Sequence, residues 1–203
     1  MTLRRVVLWR HGETDHNAAG RWQGHLDSAL TQTGWNQARF AVPALARFNP
    51  EIVVASDLRR ALDTATVFTE ATGVPLRIDK RLRETNLGLW QGLNFTEVEA
   101  QWPGGTAAWQ QDATLAPPEG ETRIEVATRA GEVVAELDEE FTETALLATH
   151  GGLITGLVGS LLGLPTAAWP QLAGIGNCHW TVLTRRSGQT QWRLSVYNAG
   201  ITG

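Results

Sequence analysis

Short apolar runs alternate with longer amphipathic stretches along the chain, and several apolar runs end on turns rich in glycine or charge. Residues 5–9 (RVVLW) predict a strand buried on both faces, followed by the turn RHGET. From Thr31, a good N-cap, to about Phe48 the positions Trp35, Ala38, Val42, Leu45 and Ala46 recur at helical spacing, and Pro43 is expected to kink that helix. Residues 51–55 (EIVVA) predict a second strand, after which Ser56 offers an N-cap to a helix carrying Leu58, Ala61, Leu62, Ala65 and Phe68. Gly73 and Pro75 close that helix.

A brief strand at 76–78 precedes the irregular segment RLRETNLGLWQGL, and residues 94–118, with scattered Trp and Gly and three prolines, read as a loop with short helices. A long amphipathic helix fits Glu121 to about Phe141. Residues 144–149 (TALLAT) predict a strand running into His150, Gly151 and Gly152, with helix following to Leu162. The runs 179–184 and 191–196, parted by Ser187 and Gly188, predict a hairpin. Strands alternating with helices place the chain in the α/β class.

Composition narrows the picture. At 203 residues one domain is expected, and 42% hydrophobic with 19% charged residues is ordinary for a globular chain. A net charge of −4 argues against a nucleic-acid protein, so any anion site must be local. Among the 17 basic residues only Lys80 is a lysine, which leaves arginine to do any anion binding. Cys178 is alone, so an intrachain disulfide and a two-cysteine metal site are both excluded, and the cytoplasm is the natural compartment. The run from Leu153 to Leu164 is broken by glycines and is shorter than the ~18 residues a membrane span needs.

In doubly wound sheets ligands gather beyond the carboxyl ends of the strands. Three predicted strands end on reactive residues there: Arg10 and His11, then Ser56, Asp57 and Arg60, then His150. Taken singly, Arg60 is as readily a solvated helix residue, Glu84 a surface acid and His150 a satisfied core histidine; together they read as a site for a dianion. Paired arginine forks can fix and neutralise a phosphoryl group. A neutral histidine can attack phosphorus through Nε2 if its other nitrogen donates to a carbonyl. The leaving oxygen needs a proton, which a carboxylic acid held near neutral pKa supplies, and Glu84 is the candidate.

The ordered segments RHGETDHN (10–17), WQGHLDSALTQTGWNQA (22–38), SDLRRALDTA (56–65), LRETNLGLWQG (82–92) and THGG (149–152) resemble the histidine phosphatase, or phosphoglycerate mutase-like, superfamily. The resemblance covers nearly the whole chain. It implies a three-layer α/β/α sandwich with a mixed, mostly parallel sheet, spanning 1–203 as one domain with 94–118 as a cap-like insert over the site. It makes His11 the phosphoacceptor and Glu84 the proton donor. Arg10, Arg60 and His150 become the phosphate pocket, and Asn17 and Gln23 further contacts to phosphoryl oxygens. No metal and no cofactor are implied.

Mutases of the superfamily are usually longer and richer in basic residues for substrate carboxylate, so NLGLWQGL after Glu84 favours the phosphatase branch. The stretches 116–122, 164–183 and 192–200 resemble enzymes that remove phosphate from glucosyl- or mannosyl-3-phosphoglycerate to leave the glycosylglycerate. The implied partner is thus a small sugar or glycerate phosphate, without nucleic acid or membrane, and a homodimer is allowed. A broad-specificity phosphatase, a mutase and a non-catalytic phospholigand sensor are the competing readings. Trp102 and Trp109 either stack on a sugar or pack the cap, with packing preferred. His16 and His25 read as rim or hydrogen-bonding residues, and Cys178 as a small apolar filler.

Overall fold

The computed structural model describes residues 2–186 and 188–201. Among them six strands form one mixed sheet: β1 (Arg5–Arg10), β2 (Ile52–Ala55), β3 (Leu76–Ile78), β4 (Thr144–Thr149), β5 (Trp180–Thr184) and β6 (Arg193–Ala199), in the order β3-β2-β4-β1-β5-β6. The first four are parallel, while β5 and β6 form the expected antiparallel hairpin at one edge. Ser187, one of the two residues expected in its turn, lies outside the described residues. The β-branched and aliphatic runs of β2 and β4 are buried along their whole length, as strands covered on both faces must be.

Side chains alternate between the faces, and each face is covered by helices. Val6, Leu8, Val54, Ala145 and Leu147 pack beneath α6 (Arg123–Glu140) and α7 (Gly151–Leu161), while Val7, Trp9, Val53, Leu146 and Ala148 pack against α2 (Gln32–Ala46) and α3 (Arg59–Thr72). This is the three-layer α/β/α arrangement. On the second face Trp9 meets Phe68 edge-on with ring centroids 6.2 Å apart, a geometry that suits aromatic quadrupoles.

Thr31 caps α2 as expected, and Pro43 lies within the helix, which continues to Ala46. Ser56 does not cap α3. The helix starts at Arg59 because Asp27, from a distant loop, accepts the Arg59 N–H at 2.7 Å and so does the work of a local cap. Thr122 and Glu125 form a reciprocal capping box for α6, so it begins at Arg123 rather than Glu121. The short α1 (Asp15–Ala18) follows the RHGET turn. Within 94–118, α4 (Phe95–Gln101) and α5 (Gly105–Gln111) are the expected short helices, and Trp102 and Trp109 join Trp22, Leu87 and Trp90 in a separate small cluster. Among the described residues no helix is long and apolar enough to cross a membrane.

Candidate active site

Arg10 pairs with Thr149 across β1 and β4, so the residues that follow these strands, His11 and His150, emerge side by side. The His11 ring is 2% exposed, and its Nδ1 lies 2.7 Å from the Gly12 carbonyl oxygen. A carbonyl only accepts, so Nδ1 carries the hydrogen and Nε2 keeps its lone pair. Burial, reinforced by the positive charges of Arg60 and Arg10, holds this imidazole well below the ordinary histidine value. Gly12 is needed for the turn: a Cβ there would sit 2.5 Å from the Gly34 carbonyl oxygen. The His11 carbonyl is itself held by the Cys178 N–H at 3.1 Å and by Asn177 Nδ2 at 3.2 Å.

Arg60 is 1% exposed, which rules out the solvated-helix alternative. Its terminal nitrogens donate to the Gly24 and Leu26 carbonyls, both at 2.7 Å, and its Nε donates to His150 Nδ1 at 3.2 Å. Burial pulls its pKa down to about 10, so it stays charged at neutral pH. Because His150 Nδ1 accepts, His150 Nε2 carries the hydrogen, and that atom is buried without a hydrogen-bond partner among the described residues. Burial and then Arg60 hold this second imidazole well below its ordinary value too. Arg10 donates to the Ile175 carbonyl at 2.5 Å, and its Nε is likewise buried and unpartnered.

The Thr14 N–H can only donate, so it fixes the orientation of the Asn17 amide. Asn17 Oδ1 accepts from Thr14 N at 3.2 Å, Thr14 Oγ1 at 3.0 Å and Asn177 Nδ2 at 3.1 Å, while Gln23 Oε1 accepts from Ser28 Oγ. With both oxygens engaged inside the protein, each NH₂ is left to donate elsewhere.

Glu84 reaches the amino terminus of α7, where Oε2 accepts from Gly152 N and Oε1 from Leu153 N, both at 3.0 Å, and Thr85 N adds a bond at 2.8 Å. A free helix terminus is a natural seat for a carboxylate. Gly152 makes room for it: a Cβ there would lie 2.6 Å from Glu84 Oε1.

Arg10, His11, Asn17, Gln23, Arg60 and Glu84 together wall a cavity of about 230 Å³. His150, fully buried, stands against them, its ring centroid 5.2 Å from that of His11. All seven residues singled out from the sequence therefore converge. Trp22 and Trp109 also line the cavity, whereas Trp102 packs on Trp90 with ring centroids 6.3 Å apart. Sequence reasoning missed Trp22, Ser28 and Asn177. The latter two act on residues five and 160 positions away, and nothing in their local sequence marks them.

The sequence profile of the histidine phosphatase superfamily (branch 1) matches residues 6–199. The chain belongs to that superfamily. It is 45% identical over 214 residues to the glucosyl-3-phosphoglycerate phosphatase of Mycobacterium tuberculosis, covering 98% of this chain and 96% of the relative. Among solved structures it resembles a mycobacterial glucosyl-3-phosphoglycerate phosphatase complexed with VO3, at TM-score 0.92 and 48% identity, over 97% of this chain and 100% of the other. The complex of that mycobacterial enzyme with inorganic phosphate matches at TM-score 0.89 and 44% identity, over 97% of this chain and 98% of the other. This histidine phosphatase chain thus shares its fold with enzymes whose names specify a sugar-glycerate phosphate.

Proposed function

We propose that the chain is a phosphomonoester hydrolase that works through a phosphohistidine on His11 and acts on glucosyl-3-phosphoglycerate, with the mannosyl analogue as a related substrate. The observation that carries this reading is the His11 ring itself: neutral, with Nδ1–H on the Gly12 carbonyl and Nε2 free, in the field of the buried Arg60 and the half-buried Arg10. The whole chain is read as one histidine phosphatase domain, with 94–118 covering the site.

Arg10, Arg60, the His150 Nε2–H and the Asn17 and Gln23 amide groups hold the phosphoryl oxygens and neutralise their charge. Nε2 of His11 forms a bond to phosphorus as the ester P–O bond breaks. Glu84 gives its proton to the departing alkoxide, which leaves as the alcohol. Water then attacks the phosphohistidine, Glu84 takes a proton from it, and inorganic phosphate departs with the N–P bond broken. The sum is ester plus water giving alcohol plus phosphate. Acting on a small intracellular metabolite fits a cytoplasmic enzyme with one buried cysteine, and sedimentation of the purified protein distinguishes monomer from homodimer.

The test is phosphate release from a panel of glucosyl-3-phosphoglycerate, mannosyl-3-phosphoglycerate, 3-phosphoglycerate and common sugar phosphates. The expected result is a kcat/KM for the glycosylated esters well above the rest. Similar rates on all of them mean a broad-specificity phosphatase. Interconversion of 2- and 3-phosphoglycerate after priming with bisphosphate means a mutase.

A further inference from the structure

The loop carrying Gly24, His25 and Leu26 touches both halves of the site at once. The carbonyls on either side of His25 receive the two terminal nitrogens of Arg60 at 2.7 Å each. The His25 ring turns the other way, with Nε2 2.8 Å from the main-chain carbonyl oxygen of Glu84. That oxygen can only accept, so Nε2 carries the hydrogen and donates it.

The loop is fixed locally. Gly24 has φ +51°, and the His25 N–H donates to Gln91 Oε1 at 2.5 Å. On its other side the Glu84 carbonyl accepts from Arg129 at 2.9 Å, and Arg129 is paired with Glu121 at 3.0 Å. Glu84 is thus held at its carboxylate by α7 and at its main chain by His25 and Arg129.

We propose that His25 is a positioning residue that couples the phosphate-holding Arg60 to the proton-donating Glu84. This rests on reading Glu84 as the proton donor. Its imidazole sets the Glu84 main chain, and so the direction from which the carboxyl approaches the leaving oxygen, while the carbonyls of its neighbours Gly24 and Leu26 hold Arg60. Proton transfer is sensitive to such placement, since a displacement of about 1 Å can cost as much as ~10²-fold in rate. An activated aryl phosphate, whose leaving group needs little protonation, escapes that cost in the step that forms the phosphohistidine, while hydrolysis of the phosphohistidine is common to both esters.

The experiment compares His25→Leu, His25→Gln and Glu84→Gln on 4-nitrophenyl phosphate and on the best alkyl phosphate of the substrate panel. Glutamine places an N–H donor the same number of bonds from the main chain as histidine Nε2. Leucine has none. The expected result is that His25→Leu lowers kcat/KM, which reports the step that releases the alcohol, on the alkyl ester at least about tenfold more than on the aryl ester, and that His25→Gln restores most of the difference. If the leucine variant does not fold, His25→Asn, whose amide is one bond too short, carries the same expectation. Equal losses on both esters, or no recovery with glutamine, overturn the proposal while a leaving-group-selective Glu84→Gln leaves the proton-donor reading standing. A Glu84→Gln variant that is not selective overturns that reading and the proposal together.

Discussion

The imidazoles of His11 and His150 lie with ring centroids 5.2 Å apart, neither protonated at neutral pH, because β1 and β4 end in register and both rings are fully buried beside Arg60. Two neutral rings in contact do not repel, and their tautomers are opposite: Gly12 takes the Nδ1–H of His11, whereas Arg60 donates to Nδ1 of His150. One ring keeps a free Nε2 lone pair and the other carries an Nε2–H.

The pH dependence follows from this pair. Both folded-state values are depressed below ~6.5, so the unfolded chain binds protons first as pH falls. Stability from this source is complete above ~6.5 and is lost progressively below it, down towards the folded values. Thermal denaturation should give a Tm that falls between pH 7.5 and 5.5, with a smaller fall in His150→Gln. An unchanged slope in that variant would remove His150 from the explanation. The acid limb of kcat/KM, which reports the free enzyme, should likewise lie below pH ~6.5, because burial and the two arginines hold His11 unprotonated at that pH.

Glu84→Gln should cost activity on alkyl esters far more than on an aryl phosphate. It should also cost stability. Two N–H groups of α7 donate to separate carboxylate oxygens, and an amide NH₂ cannot accept from one of them, leaving a group unsatisfied at roughly 1–3 kcal/mol. Parallel denaturation and steady-state kinetics check both parts; equal losses in kcat/KM on the two esters would reject Glu84 as the acid.

Gly152→Ala displaces the carboxylate without removing it. The added Cβ would meet the end of the Glu84 side chain at 2.6 Å, so the carboxylate shifts while the helix gains a better helix former. The expected outcome is a Tm lowered less than in Glu84→Gln, because the helix gain of about 1 kcal/mol offsets part of the disturbed α7 bonds, with alkyl-ester kcat reduced at least about tenfold as misplacement of a proton donor entails. Full activity would show that the seat of Glu84 on α7 is unimportant for turnover.

The strand ends were legible in sequence because their signals are local. An apolar run followed by RHG or THGG marks both a strand and its reactive end, so Arg10, His11 and His150 could be found without knowing their neighbours. The start of α3 was not legible, since the acceptor for its first N–H is Asp27 from 32 residues earlier rather than Ser56 beside it. Asn177 was invisible for the same reason: it reaches the site only through tertiary contact with Asn17 and the His11 carbonyl. The aromatic wall was half seen, because Trp109 lines the cavity while Trp102 only packs behind Trp90.

The central claim is that His11 is transiently phosphorylated and then hydrolysed. Rapid quenching of the enzyme during turnover of a ³²P-labelled ester should trap an acid-labile, alkali-stable label that maps to His11 and vanishes in His11→Ala together with turnover. A His11→Ala enzyme that keeps full activity, or turnover under conditions that would trap the label without any appearing, would contradict it.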